Sequence, residues 1–228
     1  MQQYFSNLNF NTGDIVPLDK DSFYHLKKVL RKDSNYTFRL VNNENIIYHC
    51  HLYKDNLVQI DEQLDENNEL DVDITCVLSL IKADKFELCI QKLVELGVKR
   101  IIPLNTSRCV FKLKDNKLDR FQKIALEASE QCHRNIVPTI TEPINIKDLH
   151  KYKSINNYLC YESEKSFNNK IVNNKSITYI IGPEGGFSDN EYKMIVEQGY
   201  ESISLGKRIL RAETAAIYIT SVIVGNLQ

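Results

Sequence analysis

The chain has 228 residues, a formal net charge of −1, 43% hydrophobic residues and 26% charged residues. This length suits one large domain or two small ones, and the composition is ordinary for a folded globular protein. A net charge near zero argues against a general nucleic-acid coat protein. No apolar stretch approaches the roughly 18 residues that span a bilayer, and no basic region followed by an apolar run begins the chain. We therefore expect a cytoplasmic protein without a membrane segment.

The six cysteines and five histidines show no metal-ligand spacing. The cysteines form no CxxC motif and mostly have apolar neighbours, which is typical of reduced core residues. His49 and His51 would share one face of a strand, but no third ligand accompanies them. The sequence therefore predicts neither a metal site nor a disulfide.

The first 60 residues have the pattern of a small β domain. One helix is predicted over 22–31. Runs of β-branched and aromatic residues bounded by Asn and Asp predict strands over 36–40, 46–53 and 57–60. Segment 61–71 contains six acids in eleven residues, which is typical of a linker. We expect a first domain at 1–68, built as a small barrel or half-barrel, and a second domain at 72–228.

After the acidic segment, strands and helices alternate. An apolar run predicts a buried strand over 72–80. Helical spacing of apolar residues predicts helices over 84–95 and 119–131, the first with Asp84 as N-cap and Gly97 as its stop. Further strands are predicted over 101–104, 157–161, 177–181 and 200–205. This alternation predicts an α/β domain with a mostly parallel sheet.

Two more helices are predicted near the end of the chain. Ser188 and Glu191 form a capping-box pair that opens a helix closed by Gly199. The segment 214–224 is apolar nearly all round, so we expect its helix to be buried in its own core or against another subunit.

Five of the eight glycines fall between positions 182 and 206, and all of these except Gly199 lie in two loops that follow predicted strands. Glycine permits positive φ angles and a close approach of backbone to a ligand. In parallel sheets, ligands bind where loops leave the carboxyl ends of strands. The loops contain neither GxxxxGK[ST] nor GxGxxG, and Glu184 places a carboxylate where a phosphate would lie. We predict a nucleotide cofactor without an essential phosphate contact; the alternative is a pair of tight structural turns.

Five segments of the sequence resemble the RsmE family, within the SPOUT class of methyltransferases. In chain order they are HLKKVLR at 25–31, KADKFELCIQKLVELGV at 82–98, EASEQCHRNIVP at 127–138, IGPEGGFS at 181–188 and LGKRILRAETA at 205–215. The sequence departs from the family pattern at Ala83, where Gly is expected, and at Ala212, where Thr is expected. Neither departure removes a titratable group.

The resemblance implies a PUA-like β-barrel followed by an α/β domain whose mostly parallel sheet is tied in a SPOUT-type trefoil knot. It implies a homodimer that uses S-adenosylmethionine to methylate N3 of a uridine in 16S rRNA, within the small ribosomal subunit. One alternative is a SPOUT methyltransferase that acts on another RNA position, such as a ribose 2′-hydroxyl. A second is a non-catalytic RNA-binding dimer, against which the two glycine loops and Arg211 argue.

The matched segments also suggest residue roles. Arg211 is expected to stabilise the uridine anion, and Glu213 is the candidate proton acceptor unless it only caps the last helix. The expected cofactor-binding residues are Gly182, Pro183, Glu184, Gly185, Gly186, Leu205, Gly206, Ile209 and Leu210. The three apolar members of this set would form walls for adenine, and the alternative is ordinary core packing. The expected RNA contacts are Arg31, Lys82, Lys85, Arg108 and Arg134. A basic run over 99–123 is either a solvated face or a further site for RNA phosphates.

Overall fold

The computed structural model describes residues 1–110, 117–164 and 175–227. The chain forms two compact units. The first comprises Met1–Glu69 and Ser129–Ile136, and the second comprises Leu70–Ala128 and Val137–Gln228. The sequence analysis assigns 129–136 to the second domain, whereas the structure groups this segment with the first.

Hydrogen bonds explain why Ser129–Ile136 belongs to the first unit. The Arg134 guanidinium donates to both carboxylate oxygens of Glu69, with distances of 3.1 Å from Nε and 2.5 Å from Nη2. The Asn135 side chain donates to the Glu66 carbonyl at 2.9 Å, and Gln3 Nε2 donates to the Arg134 carbonyl at 2.7 Å. These partners are distant in sequence, so no local pattern indicates them.

The first unit contains a five-stranded sheet in the order β1-β3-β4-β5-β2. Its strands are β1 (Gln3–Phe5), β2 (Ile15–Pro17), β3 (Thr37–Val41), β4 (Ile47–Lys54) and β5 (Leu57–Leu64). The β1–β3 pairing is parallel and the other pairings are antiparallel. Alternate residues bury a single core that includes Tyr4, Phe38, Tyr48 and Leu52. The strands predicted at 36–40, 46–53 and 57–60 are present, whereas β1 and β2 were not predicted.

The helix predicted over 22–31 is present in altered form. An α-helix, α1 (Lys20–Tyr24), begins at Asp19, whose carboxylate accepts hydrogen bonds from two backbone N–H groups of the first turn. The helix then widens into a π-helical turn over His25–Val29. His25 Nδ1 lies 2.8 Å from the Tyr4 hydroxyl. This wider turn has no signature in a 3.6-residue periodicity.

The linker prediction for 61–71 is wrong at its start, because Asp61 to Leu64 continue strand β5. Acidic side chains are compatible with this strand because two of them pair with histidines on the neighbouring strand β4. Glu62 Oε1 lies 2.9 Å from His49 Nδ1, and Asp61 Oδ1 lies 2.8 Å from His51 Nδ1. The two histidines therefore share one face of β4, as predicted.

The second unit contains a sheet in which every pairing between described strands is parallel. Its main path is β12-β10-β11-β6-β7-β8, and β9 also pairs with β7. The strands are β6 (Ile74–Ser79), β7 (Arg100–Asn105), β8 (Thr139–Ile140), β9 (Ile144–Asn145), β10 (Asn156–Cys160), β11 (Ile177–Ile181) and β12 (Glu201–Ile203). The predicted α/β domain with a mostly parallel sheet is confirmed.

The helices that follow the acidic segment 61–71 agree with the predicted alternation. They are α2 (Ala83–Glu95), α3 (Lys117–Gln131), a 3₁₀ helix (Ile146–Tyr152), α4 (Asp189–Glu197) and α5 (Ala212–Gly225). The N-cap prediction for Asp84 is wrong, because Lys82 is the N-cap and Asp84 lies in the first turn. A carboxylate in the first turn still favours a helix through the helix dipole. The capping box of Ser188 and Glu191 is confirmed.

Helix α5 is buried along one side only. Ala216, Ile219 and Ile223 are buried, whereas Tyr218 is 39% exposed. On the buried side Thr220 Oγ1 donates to the Ala216 carbonyl and lies 2.6 Å from the hydroxyl of Tyr179 on β11. Since the threonine hydroxyl has used its proton, the tyrosine is the donor of the second bond. This bond joins α5 to the centre of the sheet.

Within the described residues, no helix is long and apolar enough to cross a membrane. In the same part of the chain, no group of three or more His, Cys, Asp or Glu side chains could hold a metal ion. All six cysteines are free, and four of them are buried.

Candidate active site

The two glycine-containing loops leave the same edge of the parallel sheet. The first glycine loop, residues 182–188, follows β11, and the second glycine loop, residues 205–211, comes just after β12. Strand β10 lies between these two strands in the sheet. The carboxyl end of β10 therefore lies between the two loops, at the edge where parallel sheets bind ligands.

Arg108 holds the first glycine loop by its backbone. Its Nη1 donates to the carbonyl of Gly185 at 2.9 Å and to the carbonyl of Phe187 at 3.3 Å. A Cβ on Gly185 would lie 3.2 Å from the Arg108 Cβ, so a larger residue would crowd this contact. A predicted RNA contact thus touches the predicted cofactor loop.

Two carboxylates tie the same loop to neighbouring segments. Glu184 Oε1 accepts a hydrogen bond from the backbone N–H of Lys82 at 3.3 Å. Glu191 accepts from the N–H of Ser107 at 2.7 Å and from the N–H of Ser188 at 2.9 Å. Burial opposes ionisation of Glu191, but the hydrogen bonds from Ser107 and Ser188 outweigh it and lower the pKa of this carboxyl.

Gly186 is favoured by its backbone conformation, and a Cβ at this position would displace an exposed side chain. Its φ angle is 65°, and a Cβ on it would lie 2.6 Å from Glu162 Oε1. Glu162 is exposed and lies two residues after the end of β10. It was not predicted as a site residue, although its place at the end of a predicted parallel strand was an available signal.

The second glycine loop is more open. Gly206 has a φ angle of 113°, and apart from its chain neighbours no atom of the described residues lies within 4 Å of the position of a Cβ. Its N–H donates to Ser204 Oγ at 3.3 Å. Ile209 is 84% exposed, which excludes core packing as its role. Leu205 and Leu210 are half-buried.

Arg211 and Glu213 stand where the second loop enters α5. Arg211 is the N-cap residue, is exposed, and accepts a backbone hydrogen bond from Ala215 at 2.8 Å. Among the described residues, its guanidinium has no hydrogen bond or ion pair. Glu213 is half-buried in the first turn. Burial, and secondly the charge of Glu213, raise the pKa of Cys89 on α2 to about 12.

The predicted RNA contacts do not share one environment. Lys82 is exposed, and Lys85 is half-buried in the first turn of α2. Arg31 is exposed in the first unit, with a positive φ of 53°. Arg134 is 3% exposed and paired with Glu69. This burial gives Arg134 a structural role, so we do not propose it as an RNA contact. Residues 111–116 of the basic run lie outside the described residues.

Comparison with known proteins gives consistent results. A family model described as an RNA methyltransferase domain matches residues 68–224. The chain is 37% identical over 203 residues to the ribosomal RNA small subunit methyltransferase E of Mesomycoplasma hyopneumoniae, covering 86% of this chain and 87% of the relative. The protein of the same name from Bacillus subtilis is 30% identical over 245 residues, covering 98% and 96% of the two chains.

Solved structures agree with these relatives. The ribosomal RNA small subunit methyltransferase E of Neisseria gonorrhoeae, bound to S-adenosyl methionine, superposes with a TM-score of 0.90 at 27% identity, covering 97% of this chain and 95% of that one. A methyltransferase from Legionella pneumophila in complex with the same cofactor gives a TM-score of 0.89 at 29% identity, with coverage of 96% and 95%.

Proposed function

Since the chain belongs to the ribosomal RNA small subunit methyltransferase E family, we propose that it methylates N3 of a specific uridine in 16S rRNA. The family membership confirms the resemblance carried by the five sequence segments. The protein is an S-adenosylmethionine-dependent rRNA methyltransferase. The main structural support is that both glycine loops lie at one carboxyl edge of a parallel sheet, on either side of β10.

The residues at this edge fit S-adenosylmethionine. The glycines of the first loop allow its backbone to approach a ligand closely, and Ile209 offers an exposed apolar surface. We assign backbone groups of the first glycine loop to the polar parts of the cofactor, and Leu205, Ile209 and Leu210 to its adenine. When bound, the cofactor supplies an electrophilic methyl group. Burial of Ile209 by adenine would contribute about 1.5 to 3 kcal/mol.

The chain's own residues must prepare the uridine. Removal of the N3 proton leaves a negative charge that spreads over O2 and O4 of the base. Arg211 is exposed at the start of α5, next to the second glycine loop, with its guanidinium available to donate to these oxygens. Glu213 stands two residues later and is the candidate carboxylate that accepts the proton; a water molecule is the alternative.

RNA contacts are proposed for exposed or partly exposed cations in each unit. In the second unit these are Lys82 and Lys85 at the start of α2. In the first unit the candidate is Arg31, at the end of the π-helical turn. The target is 16S rRNA, and we propose that it is modified in the cytoplasm, within a small ribosomal subunit. Phosphate contacts of this kind make binding weaken as salt concentration rises.

We also propose three features of architecture. The first unit is a PUA-like barrel, for which its five-stranded sheet is the support. A trefoil knot in the second unit is supported by the path of the chain. Strand β12 lies beyond β10, yet α5, which follows it, returns to bond β11 through Thr220 and Tyr179. A homodimer is supported by exposed, uncharged residues of neighbouring helices, namely Tyr218 on α5 and Leu88 on α2.

The test is mass spectrometry of nucleosides. Small subunits that lack the modification are incubated with the protein and S-adenosylmethionine carrying an isotopically labelled methyl group. We expect label in N3-methyluridine, and its loss with Arg211→Ala. Label in a 2′-O-methylated nucleoside would contradict the N3 assignment and retain the methyltransferase. Cofactor binding without any label would favour a non-catalytic RNA-binding protein.

A further inference from the structure

Arg108 has the chemistry of an RNA contact and the geometry of a loop support. It lies in the turn that follows β7, and its Nη1 makes both hydrogen bonds to the first glycine loop. The acceptors are main-chain carbonyls, those of Gly185 and Phe187. Although Arg108 is exposed, its Nη1 donor is therefore used within the protein and is not free to bind an RNA phosphate.

With these two bonds, two peptide groups of the loop are hydrogen-bonded at both their carbonyl and their N–H. The Gly185–Gly186 peptide has its carbonyl on Arg108, and its N–H donates to the Pro183 carbonyl at 2.9 Å. The Phe187–Ser188 peptide has its carbonyl on Arg108, and its N–H donates to Glu191 at 2.9 Å. A planar peptide held at both its N–H and its C=O cannot rotate without breaking a bond.

A second tether acts on the same turn. The N–H of Ser107, the residue before Arg108, donates to Glu191 at 2.7 Å. Glu191 belongs to α4, which begins directly after the first glycine loop. The turn after β7 is thus bonded to both the loop and the helix that follows it. Glycines make a backbone mobile, and these bonds remove that freedom at Gly185 and Gly186.

We propose that Arg108 is a positioning residue that holds the first glycine loop in its cofactor-binding conformation, and that its main contribution is to cofactor affinity rather than to RNA affinity. The inference rests on the proposed role of this loop in binding S-adenosylmethionine. Without Arg108 the two carbonyls are released, the loop samples other conformations, and ordering it costs part of the binding free energy.

The experiment compares three full-length variants with the wild type. Arg108→Met removes the donor and the charge. Arg108→Lys keeps a charged donor that can reach main-chain carbonyls. Lys193→Met, on the exposed surface of α4, is the control for loss of one positive charge. Calorimetry gives the Kd for S-adenosylmethionine without RNA, and filter binding gives the Kd for 16S rRNA.

We expect Arg108→Met to raise the cofactor Kd about tenfold. Its RNA Kd should match that of Lys193→Met within about twofold, and Arg108→Lys should restore most of the cofactor affinity. In turnover assays, KM for the cofactor should rise while kcat at saturation changes less than about threefold.

Two results would overturn the inference. One is an unchanged cofactor Kd with weakened RNA binding, which would make Arg108 an RNA contact. The other is no change in either affinity. A wild-type protein that binds no S-adenosylmethionine would instead defeat the proposed function.

If Arg108→Met does not fold, hydrogen exchange on the wild-type protein decides the question. The inference requires the amides of Gly186 and Ser188 to exchange more slowly than those of Arg208 and Ile209. Equal exchange rates would overturn it.

Discussion

The first and second glycine loops differ in how firmly the surrounding protein holds them. The first is bonded to Lys82, Arg108 and Glu191, which come from three other segments of the same unit. The second has a hydrogen bond between Ser204 and Gly206, and it exposes 84% of Ile209 to solvent. The first loop is therefore ordered by bonds within the fold, whereas we expect the second loop to gain its packing from the cofactor.

Substitution of Arg211 tests whether the open loop carries the chemistry. We expect Arg211→Ala to lower kcat by about 100- to 1000-fold, because a donor to a developing negative charge is lost. The cofactor Kd and the melting temperature should hardly change, since the guanidinium is exposed. Single-turnover methylation measures the rate, and Arg211→Lys is the matched variant that keeps the charge. A large rise in cofactor Kd with normal kcat would contradict this role.

Substitution of Gly186 tests the rigidity of the first loop. Gly186→Ala must place a Cβ at a φ of 65° and 2.6 Å from Glu162 Oε1. We expect a loss of about 1 to 3 kcal/mol in stability and weaker cofactor binding. Gly225→Ala is the control, because nothing lies within 4 Å of its Cβ position. Thermal unfolding and calorimetry measure both effects. Equal melting temperatures for the two variants would mean that the first loop is not rigid.

The pH dependence of stability tests the bonds to Glu191. Its folded-state pKa lies below the reference value of 4.5, so its ionised form stabilises the fold above that pH. This contribution is lost as pH falls through the folded-state pKa. Glu191→Gln should therefore destabilise the protein by about 1 to 2 kcal/mol at pH 7.

The difference between Glu191→Gln and the wild type should shrink as pH falls below 4.5. Urea unfolding at a series of pH values measures it. A difference independent of pH would show that the charge of Glu191 contributes nothing.

Substitution of Gly206 gives the smallest expected change in stability. Its φ of 113° disfavours alanine, but among the described residues no neighbouring atom lies within 4 Å of the Cβ position. The backbone strain comes without a steric clash and can be partly relieved in this open loop, so we expect Gly206→Ala to cost about 1 kcal/mol. Cofactor affinity should still fall, because the relaxed loop no longer presents the same backbone. A stability loss as large as that of Gly186→Ala would mean that the second loop is held as firmly as the first.

Local patterns predicted the second unit well. Strand β11 has the predicted bounds, Ile177–Ile181, because β-branched and aromatic residues fill all five positions between Ser176 and the turn at Gly182. The capping box at Ser188 was equally accessible, since its two partners are three residues apart. The glycine loops were found because glycine is scarce elsewhere in the chain.

What the sequence could not predict depends on contacts between distant residues. Arg134 resembled a surface cation until its pairing with Glu69 was known, 65 residues away in sequence. Arg108 was predicted as an RNA contact, and no local pattern indicated its bond to the Gly185 carbonyl, which lies 77 residues away in sequence. The end of a predicted strand pointed to Glu162, but only the order of strands places this residue between the two loops. Residue roles in the site stay predictions until the variants are measured.

The return of Ser129–Ile136 to the first unit affects how this protein is made. During synthesis, Glu69 leaves the ribosome before its partner Arg134 has been translated. Leu70–Ala128 must emerge in between, although they belong to the other unit. The first unit therefore cannot form all of its hydrogen bonds until Arg134 has been synthesised. Until then the Glu69 carboxylate stays in contact with water. A fragment cut at Glu69 would lack the bonds that Arg134 and Asn135 make to Glu69 and Glu66, so we expect it to be less stable than a first unit that includes 129–136.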